Sequence, residues 1–206
     1  MRLKGEQESF WEGDFGTDYT ARHETEDTNN MAFWNSILFN SPFRFYDIIS
    51  IMELGANRGS NIKCLKKIYP AAEIGAVEIN RFACDKVREI PGVELFEGSI
   101  FDLCTKKKWD MVITKGLLIH IDPILLDKAY ELIYDLSAKY ILLAEYYNPK
   151  PVEVPYRGNR NKLFKRDFAG DMIDRYNLEL LEYGFRYHRD EYPQDDLTWF
   201  LMEKRA

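Results

Sequence analysis

The sequence predicts an α/β fold with a mostly parallel sheet, helices on both faces and a C-terminal antiparallel hairpin. Apolar runs typical of buried strands alternate with helical patterns from Ile48 onward. Such alternation produces a parallel sheet with crossover helices. The last two strand-like runs, 184–189 and 198–202, are joined only by a loop, which favours an antiparallel pair at that end.

The individual elements follow from hydrophobic periodicity. Strand-like runs are short and apolar, whereas helical segments repeat apolar residues at intervals of three and four. These patterns predict strands at 48–53, 74–78, 93–96, 111–114 and 141–145. They predict helices at 60–68, 81–90 and 125–136.

Composition limits the class of protein. The chain has 206 residues, of which 46% are hydrophobic, and this suits one compact folded unit. Its apolar runs are too short to span a bilayer, and its first residues turn acidic before any apolar stretch, so we expect a cytoplasmic protein without a membrane partner. A net charge of -6 argues against nucleic acid as a partner.

The cysteines and acidic residues do not form a recognisable metal motif. Cys64, Cys84 and Cys104 include no C-x-x-C pair, and no histidine cluster accompanies them. We expect buried thiols and no bound metal.

The junction 48–61 is the most informative segment, because a strand-like run leads into a glycine turn and a helix. Gly55 and Gly59 leave room for a ligand, and the helix offers free N–H groups to a carboxylate or phosphate. Glu78 closes the next strand, where an acid accepts ribose hydroxyls. The turn lacks both G-x-G-x-x-G and G-K-[ST], which disfavours a nicotinamide cofactor and ATP.

The pattern E-x-G-x-x-x-G, followed by the acid at the end of the second strand, resembles the class I S-adenosylmethionine-dependent methyltransferases. The blocks 10–16, 114–121, 144–149 with 156–158, and 185–190 with 193–196 resemble the pseudaminic acid biosynthesis-associated methylase family. This resemblance covers nearly the whole chain. It implies a seven-stranded Rossmann-like sheet, S-adenosylmethionine as donor with S-adenosylhomocysteine as product, and a place in bacterial surface-polysaccharide assembly.

The resemblance also assigns the donor contacts. Residues 1–40 would form an aromatic lid and a helix over the donor, and 41–206 the methyltransferase domain. A sulfonium is a cation, so Trp11 or Tyr19 is suited to its face, and Arg22 to the donor carboxylate. The other expected donor contacts are Glu53, Gly55, Asn57 and Gly59 for the methionine part, Glu78 for the ribose, Ile79, Ser99 and Ile100 for adenine, and Lys115.

The candidate catalytic residues are His120, Tyr146 and Lys115, which follow the fourth and fifth strands. In doubly wound sheets these strand ends lead to the crevice that binds ligands. The ordinary pKa of histidine, ~6.5, suits removal of a proton from a hydroxyl acceptor. The alternative is a histidine that serves shape or hydrogen bonding.

A basic stretch after the fifth strand predicts a small anionic acceptor, such as a sugar, a sugar nucleotide or a phosphate-type group. Arginine and lysine side chains bind phosphates and carboxylates well. The expected acceptor contacts are Tyr147, Asn148, Tyr156, Arg157, Lys165 and Arg166, with Arg160 and Lys162 in the same cluster. The alternative interpretation is a solvated, charged helix start.

The favoured function is therefore O-methylation by an S-adenosylmethionine-dependent enzyme. Two alternatives stay open: a catalytically silent donor-binding or regulatory protein of the sugar pathway, and a methyltransferase for protein or RNA. The sequence leaves the oligomeric state open.

Overall fold

The computed structural model describes residues 3–22, 27–39 and 48–205. Within them the helices are α1 (Glu6–Glu12), α2 (Asp14–Arg22), α3 (Asp27–Leu38), α4 (Ser60–Ile68), α5 (Arg81–Arg88), α6 (Leu126–Leu136) and α7 (Phe168–Tyr176). The strands are β1 (Ser50–Leu54), β2 (Glu73–Glu78), β3 (Val93–Glu97), β4 (Trp109–Lys115), β5 (Ser137–Glu145), β6 (Val152–Glu153), β7 (Phe164–Lys165), β8 (Glu179–Arg186) and β9 (Leu197–Glu203).

The main sheet is seven-stranded, in the order β3-β2-β1-β4-β5-β9-β8. Strands β1 to β5 pair in parallel, and β9 is antiparallel to both of its neighbours. The predicted fold class is therefore confirmed, including the C-terminal hairpin. Strand β5 begins at Ser137, earlier than predicted, and the small antiparallel pair β6 and β7 was not predicted.

The predicted strand 184–189 is wrong in its last three residues. Strand β8 ends at Arg186, and Tyr187 begins a turn in which its N–H donates to Asp190 Oδ2 at 3.1 Å. This aspartate satisfies the backbone donor locally, so the ladder stops. The loop 187–196 then connects β8 to β9.

The core lies on both faces of the sheet, as the predicted layers require. Alternate strand residues point to opposite faces. Ile51 and Ile113 belong to the apolar cluster that α3, α4 and α5 cover, whereas Met52 and Val112 belong to the cluster that α6 and α7 cover. The carboxyl ends of β1, β2 and β4 meet between these layers, where a ligand site is expected.

The N-terminal aromatic segment forms the two short helices α1 and α2, which are separated at Gly13. Gly16 lets them pack closely, because a Cβ there would lie 1.9 Å from the carbonyl oxygen of Trp11. The expected boundary between a lid and a main domain, at 40 and 41, lies outside the described residues. That α1 and α2 cover a bound donor stays a prediction.

Three further sequence expectations concern cysteines, metals and membranes. Cys64 and Cys84 are buried, but Cys104 is exposed, so the expectation of a buried thiol is wrong there. Among the described residues, no group of three or more His, Cys, Asp or Glu side chains is placed to hold a metal ion. Within the same residues, no helix combines the length and apolar character needed to cross a bilayer.

Candidate active site

The glycine turn after β1 has a backbone that needs small or permissive residues. Gly55, Asn57 and Gly59 adopt φ values of 72°, 47° and 77°, in the left-handed region. A Cβ on Gly55 would also lie 2.8 Å from Leu117 Cδ1. Glycine is therefore required at Gly55 by both conformation and space.

Glu78 connects this turn to the end of β2. One carboxylate oxygen accepts the N–H of Asn57 at 2.7 Å, and the other accepts the N–H of Asn80 at 2.7 Å. Burial raises the pKa of this carboxyl, while the backbone hydrogen bonds oppose the shift. Each oxygen has a second lone pair, so both can still accept a ribose hydroxyl.

A cleft beside the turn encloses about 870 Å³ of empty space that includes open solvent, and we call it the donor cleft. Its walls contain most of the predicted donor contacts and two of the three predicted catalytic residues, Lys115 and His120. The predicted residues among them are Trp11, Tyr19, Gly55, Asn57, Glu78, Ile79, Ser99, Ile100, Lys115 and His120. Sequence reasoning did not single out other lining residues, among them Gln7, Gly16, Thr20, Asn80, Phe101 and Leu117.

Three predicted donor contacts do not line the donor cleft. Arg22 is exposed at the end of α2. Gly59 packs under the turn, where a Cβ would lie 2.5 Å from Ile90 Cδ1. Glu53 is buried in β1.

Only one of the two oxygens of the Glu53 carboxyl has a hydrogen-bond partner among the described residues. Its Oε1 accepts a hydrogen bond from Asn61 Nδ2 at 2.7 Å, whereas its buried Oε2 has no partner among the described residues. Burial raises the pKa of Glu53 to about 7. Nearby Lys115 is also buried, which lowers its pKa, and its Nζ donates to Asn30 Oδ1 at 3.1 Å.

Asn80 joins the donor cleft to the N-terminal helices. Its Nδ2 lies within hydrogen-bond distance of the carbonyl oxygens of Trp11, Glu12 and Gly13, at 3.1, 3.2 and 3.3 Å, and of Thr17 Oγ1 at 3.1 Å. Its Oδ1 accepts the N–H of Ala83 at the start of α5. The available sequence signal was an asparagine placed to cap a helix just after the acid of β2.

On its other side, α1 is attached to the chain before β7. Gln7 Nε2 donates to the carbonyl oxygen of Asn161 at 2.9 Å, and Lys162 Nζ pairs with Glu6 Oε1 at 2.6 Å. Lys162 is buried, so this ion pair compensates a charge that has left water. Helix α1 is thus held at both edges of the cleft.

His120 lies in an aromatic cluster at the boundary of the donor cleft. The ring centroids of Trp11 and Tyr156 are 4.5 and 4.9 Å from that of His120. His120 Nδ1 is 2.7 Å from the carbonyl oxygen of Lys162. A carbonyl only accepts, so Nδ1 carries the hydrogen and Nε2 keeps a lone pair. Burial lowers the pKa of His120 to about 4, which leaves the ring neutral at physiological pH.

A second, more polar cavity adjoins the donor cleft, and we call it the acceptor cavity. The two share the wall formed by Tyr19, Lys115, Gly116 and His120. The other residues of the acceptor cavity are Ile119, Tyr146, Tyr156, Arg157, His188, Gln194, Asp195, Asp196 and Leu197. Burial raises the pKa of Tyr19, Tyr146 and Tyr156, so these phenols stay neutral and can donate or accept hydrogen bonds.

Of the predicted acceptor contacts, only Tyr156 and Arg157 line this cavity. The others contact different parts of the chain: Tyr147 lies near the Phe200 ring, Asn148 donates to the carbonyl oxygen of Lys150, Lys165 lies over the Tyr146 ring, and Arg166 pairs with Asp171. With Lys162 paired to Glu6, the basic cluster of the sequence is dispersed in space.

A third cavity, on the α3 side, connects the first two. Tyr19 and Lys115 line all three cavities, and His188 lines both this one and the acceptor cavity. The loop 187–196 forms part of its wall and is attached to α3 by Gln194 Nε2, which donates to the carbonyl oxygen of Asn29 at 3.3 Å. The region around Lys115 and Tyr19 is therefore where a donor and an acceptor would meet.

Comparison with known proteins identifies the fold. No protein-family model matches the sequence, and no curated protein sequence matches it. Among solved structures, the chain is similar to the Burkholderia thailandensis 1,6-didemethyltoxoflavin-N1-methyltransferase with bound S-adenosylhomocysteine. That likeness has a TM-score of 0.71 at 12% identity and covers 100% of this chain and 93% of the other.

Two further solved structures are similar to this chain. The magnesium protoporphyrin IX methyltransferase of Synechocystis PCC 6803 with bound S-adenosylhomocysteine gives a TM-score of 0.65 at 14% identity, covering 96% of this chain and 98% of the other. Streptomyces venezuelae DesVI gives a TM-score of 0.68 at 11% identity, covering 94% of this chain and 100% of the other. The fold is that of the class I S-adenosylmethionine-dependent methyltransferases.

Proposed function

We propose that this protein transfers a methyl group from S-adenosylmethionine to an oxygen of a small anionic acceptor. The observation that carries the proposal is the wall of Tyr19, Lys115, Gly116 and His120 that the donor cleft and the acceptor cavity share. A methyl group at that wall would face both ligands. Methyl transfer needs this arrangement, because the attacking oxygen must lie in line with the breaking carbon–sulfur bond.

The donor would lie along the glycine turn. Glu78 would accept the ribose hydroxyls, and Ile79, Ser99 and Ile100 would surround adenine. The methionine part would extend over Gly55 and Asn57 toward Lys115. Trp11 and Tyr19 line the same cleft, where an aromatic face near the sulfonium would contribute about 1 kcal/mol.

The chain would act mainly by alignment and exclusion of water. Holding the acceptor oxygen near ~3 Å from the methyl carbon turns an encounter into an intramolecular step. Helices α1 and α2 would cover the reacting groups. Neutral His120 lines both cavities, but its pKa of about 4 makes it a weaker base than an ordinary histidine.

The anionic character of the acceptor is supported by Arg157 and Lys115, the two cationic side chains among the residues described around the acceptor cavity. Asp195 and Asp196 in the same lining favour an acceptor that also carries hydroxyl or amino groups. A sugar or sugar nucleotide has this combination. The setting in bacterial surface-glycan assembly rests on the sequence resemblance to the pseudaminic acid biosynthesis-associated methylases.

Native mass spectrometry with and without S-adenosylmethionine is the direct test of donor binding. The wild-type protein should retain the donor or S-adenosylhomocysteine, and Gly55→Ala should not, because of its positive φ and the contact with Leu117. Gly92→Ala is the matched control, since Gly92 has a similar φ of 69° but does not line the three cavities. Absence of donor binding by the wild type at high ligand concentration would refute the proposal.

A donor-loaded protein would then be incubated with a panel of sugar nucleotides and acidic sugars, and the products examined for an added methyl group. Methyl gain on oxygen supports the full proposal. Donor binding without transfer to any member of the panel would favour the silent donor-binding alternative.

A further inference from the structure

The loop 187–196 carries a histidine–aspartate pair at the acceptor cavity. The two carboxylate oxygens of Asp196 lie 2.8 and 2.9 Å from His188 Nδ1, and Oδ1 also accepts the backbone N–H of His188 at 3.0 Å. Both side chains line the acceptor cavity. The pair therefore has a fixed geometry at the place where an acceptor would bind.

The hydrogen bond determines which nitrogen of His188 is available. An ionised carboxylate only accepts, so Nδ1 of the neutral ring carries the hydrogen and Nε2 keeps a lone pair. Hydrogen bonds from His188 lower the pKa of Asp196, which keeps it ionised. The arrangement is that of a base oriented by a neighbouring carboxylate.

The backbone conformation of Asp196 is a second feature of the pair. Its φ is 50°, in the left-handed region that non-glycine residues seldom adopt, although aspartate tolerates it better than most. Strained backbone of this kind is often found where a side chain must be held in one position. Here it directs the carboxylate at the His188 ring.

The two histidines of the acceptor cavity differ in their ability to carry charge. His120 is buried, and its Nδ1 donates to a neutral carbonyl, so a cation formed there would have no counter-charge in that hydrogen bond. His188 faces an ionised carboxylate, and 47% of its side chain is exposed to solvent. Asp196 therefore places a carboxylate at Nδ1 of His188, whereas Nδ1 of His120 meets only a neutral carbonyl.

We propose that His188 is a catalytic residue that takes the proton of the acceptor hydroxyl during methyl transfer, with Asp196 as its positioning residue. This inference rests on the proposed methyltransferase function. The acceptor oxygen bonds to the methyl carbon while its proton moves to His188 Nε2. The carbon–sulfur bond breaks, and its electron pair stays on sulfur, which becomes a neutral thioether. The imidazolium then releases its proton to water.

One arm of the test needs no acceptor. Long-range ¹H–¹⁵N NMR of the full chain, loaded with S-adenosylhomocysteine near neutral pH, reports the tautomer of each neutral histidine. The Nδ1–H form is expected at His188 and should be lost in Asp196→Ala, which removes both acceptor oxygens, while Asp190→Asn in the same loop should leave it unchanged. An Nε2–H tautomer at His188 in the wild type would overturn the inference.

The second arm measures turnover on any acceptor that gains a methyl group from the panel of sugar nucleotides and acidic sugars. His188→Asn keeps a donor near the position of Nδ1, so the contact with Asp196 and the loop can persist, but it lacks Nε2. We expect kcat to fall about 100-fold or more with donor affinity unchanged, as loss of a general base does. Asp196→Asn should lower kcat less, with the same donor affinity.

Calorimetric binding of S-adenosylhomocysteine to each variant separates the possible failures. If the wild type does not bind it, the proposed function fails. If the wild type binds it and transfers methyl, but His188→Asn keeps more than a tenth of the turnover, only the role of His188 fails.

Discussion

The Nδ2 of Asn80 donates to the carbonyl oxygen of Trp11 at 3.1 Å, and the same asparagine donates its backbone N–H to Glu78. One residue thus contacts both the acid expected at the ribose and the helix that carries the aromatic ring of the donor cleft. Occupancy of the ribose position and the position of α1 should be coupled through it.

Asn80→Ser tests this coupling. A serine hydroxyl can still cap α5, but it has no amide to reach the carbonyl oxygens of α1. We expect donor affinity to fall about tenfold, because hydrogen bonds of this kind are worth ~0.5–1.5 kcal/mol each. Hydrogen exchange should increase across 6–22 and stay unchanged in α5.

Asn80→Ala is the companion variant, since it also removes the cap. It should lose a further ~1 kcal/mol of stability. Equal donor affinity in wild type and Asn80→Ser, measured by calorimetry, would show that α1 does not contribute to donor binding through Asn80.

Gly16→Ala should separate α1 from α2. Its Cβ would lie 1.9 Å from the carbonyl oxygen of Trp11 and 3.0 Å from Asn80 Nδ2, and backbone cannot yield as a side-chain tip can. We expect weaker donor binding and a stability loss of ~1–3 kcal/mol, typical of overpacking.

Gly5→Ala is the matched control in the same segment, because its Cβ would meet only Glu8 Oε2 at an ordinary 3.5 Å. Calorimetry and thermal unfolding of both variants check this prediction. It is wrong if Gly16→Ala and Gly5→Ala behave alike.

Titration of the Glu53 carboxyl should lower the free energy of unfolding as pH rises from about 4.5 through about 7. Its pKa is raised from 4.5 to about 7, so the folded chain binds this proton more tightly than the unfolded chain. The resulting stability is fully present below about pH 4.5 and is lost as pH rises through about 7. In Glu53→Gln, the free energy of unfolding should therefore vary less with pH over this range, by roughly 1 kcal/mol or more.

Denaturant unfolding across this pH range, compared between wild type and variant, gives the measurement. The comparison with the variant is needed because other groups also make the free energy of unfolding depend on pH. Glu145 lowers it as pH rises, as Glu53 does, whereas His120 raises it. Glu131→Gln, at an exposed site of α6, is the control. Parallel wild-type and Glu53→Gln curves would contradict the buried, protonated state of Glu53.

His120→Asn should preserve the fold and reduce turnover only moderately. The asparagine amide can replace Nδ1 as donor to the carbonyl oxygen of Lys162, while the Nε2 lone pair is lost. We expect about a tenfold fall in kcat, the effect of one hydrogen bond. In the wild type, no break of the pH–rate profile near 6.5 should come from His120, whose pKa is about 4. A fall beyond 100-fold would make His120 the base in place of His188.

Most of the fold was predictable because its signals are local. Each of the strands β1 to β5 is an apolar run, and α4 begins and ends at the predicted residues, Ser60–Ile68. The pair β6 and β7 was not predictable, because each strand has two residues and pairs across a long loop. Helix α5 ends at Arg88, two residues before the predicted end at residue 90. The last residues of a helix depend on contacts with the surrounding chain, which the sequence pattern does not give.

The amino-acid sequence predicts the strand, glycine turn and helix at 48–61 and the acid Glu78, because backbone conformation and strand ends depend on neighbouring residues. Which side chains share a cavity depends on the tertiary structure. Lys165 and Arg166 do not line the acceptor cavity, although Lys165 Nζ lies over the ring of Tyr146, whereas His188 does line it. Contacts between residues far apart in the chain depend on sheet order and loop packing, which no local pattern encodes.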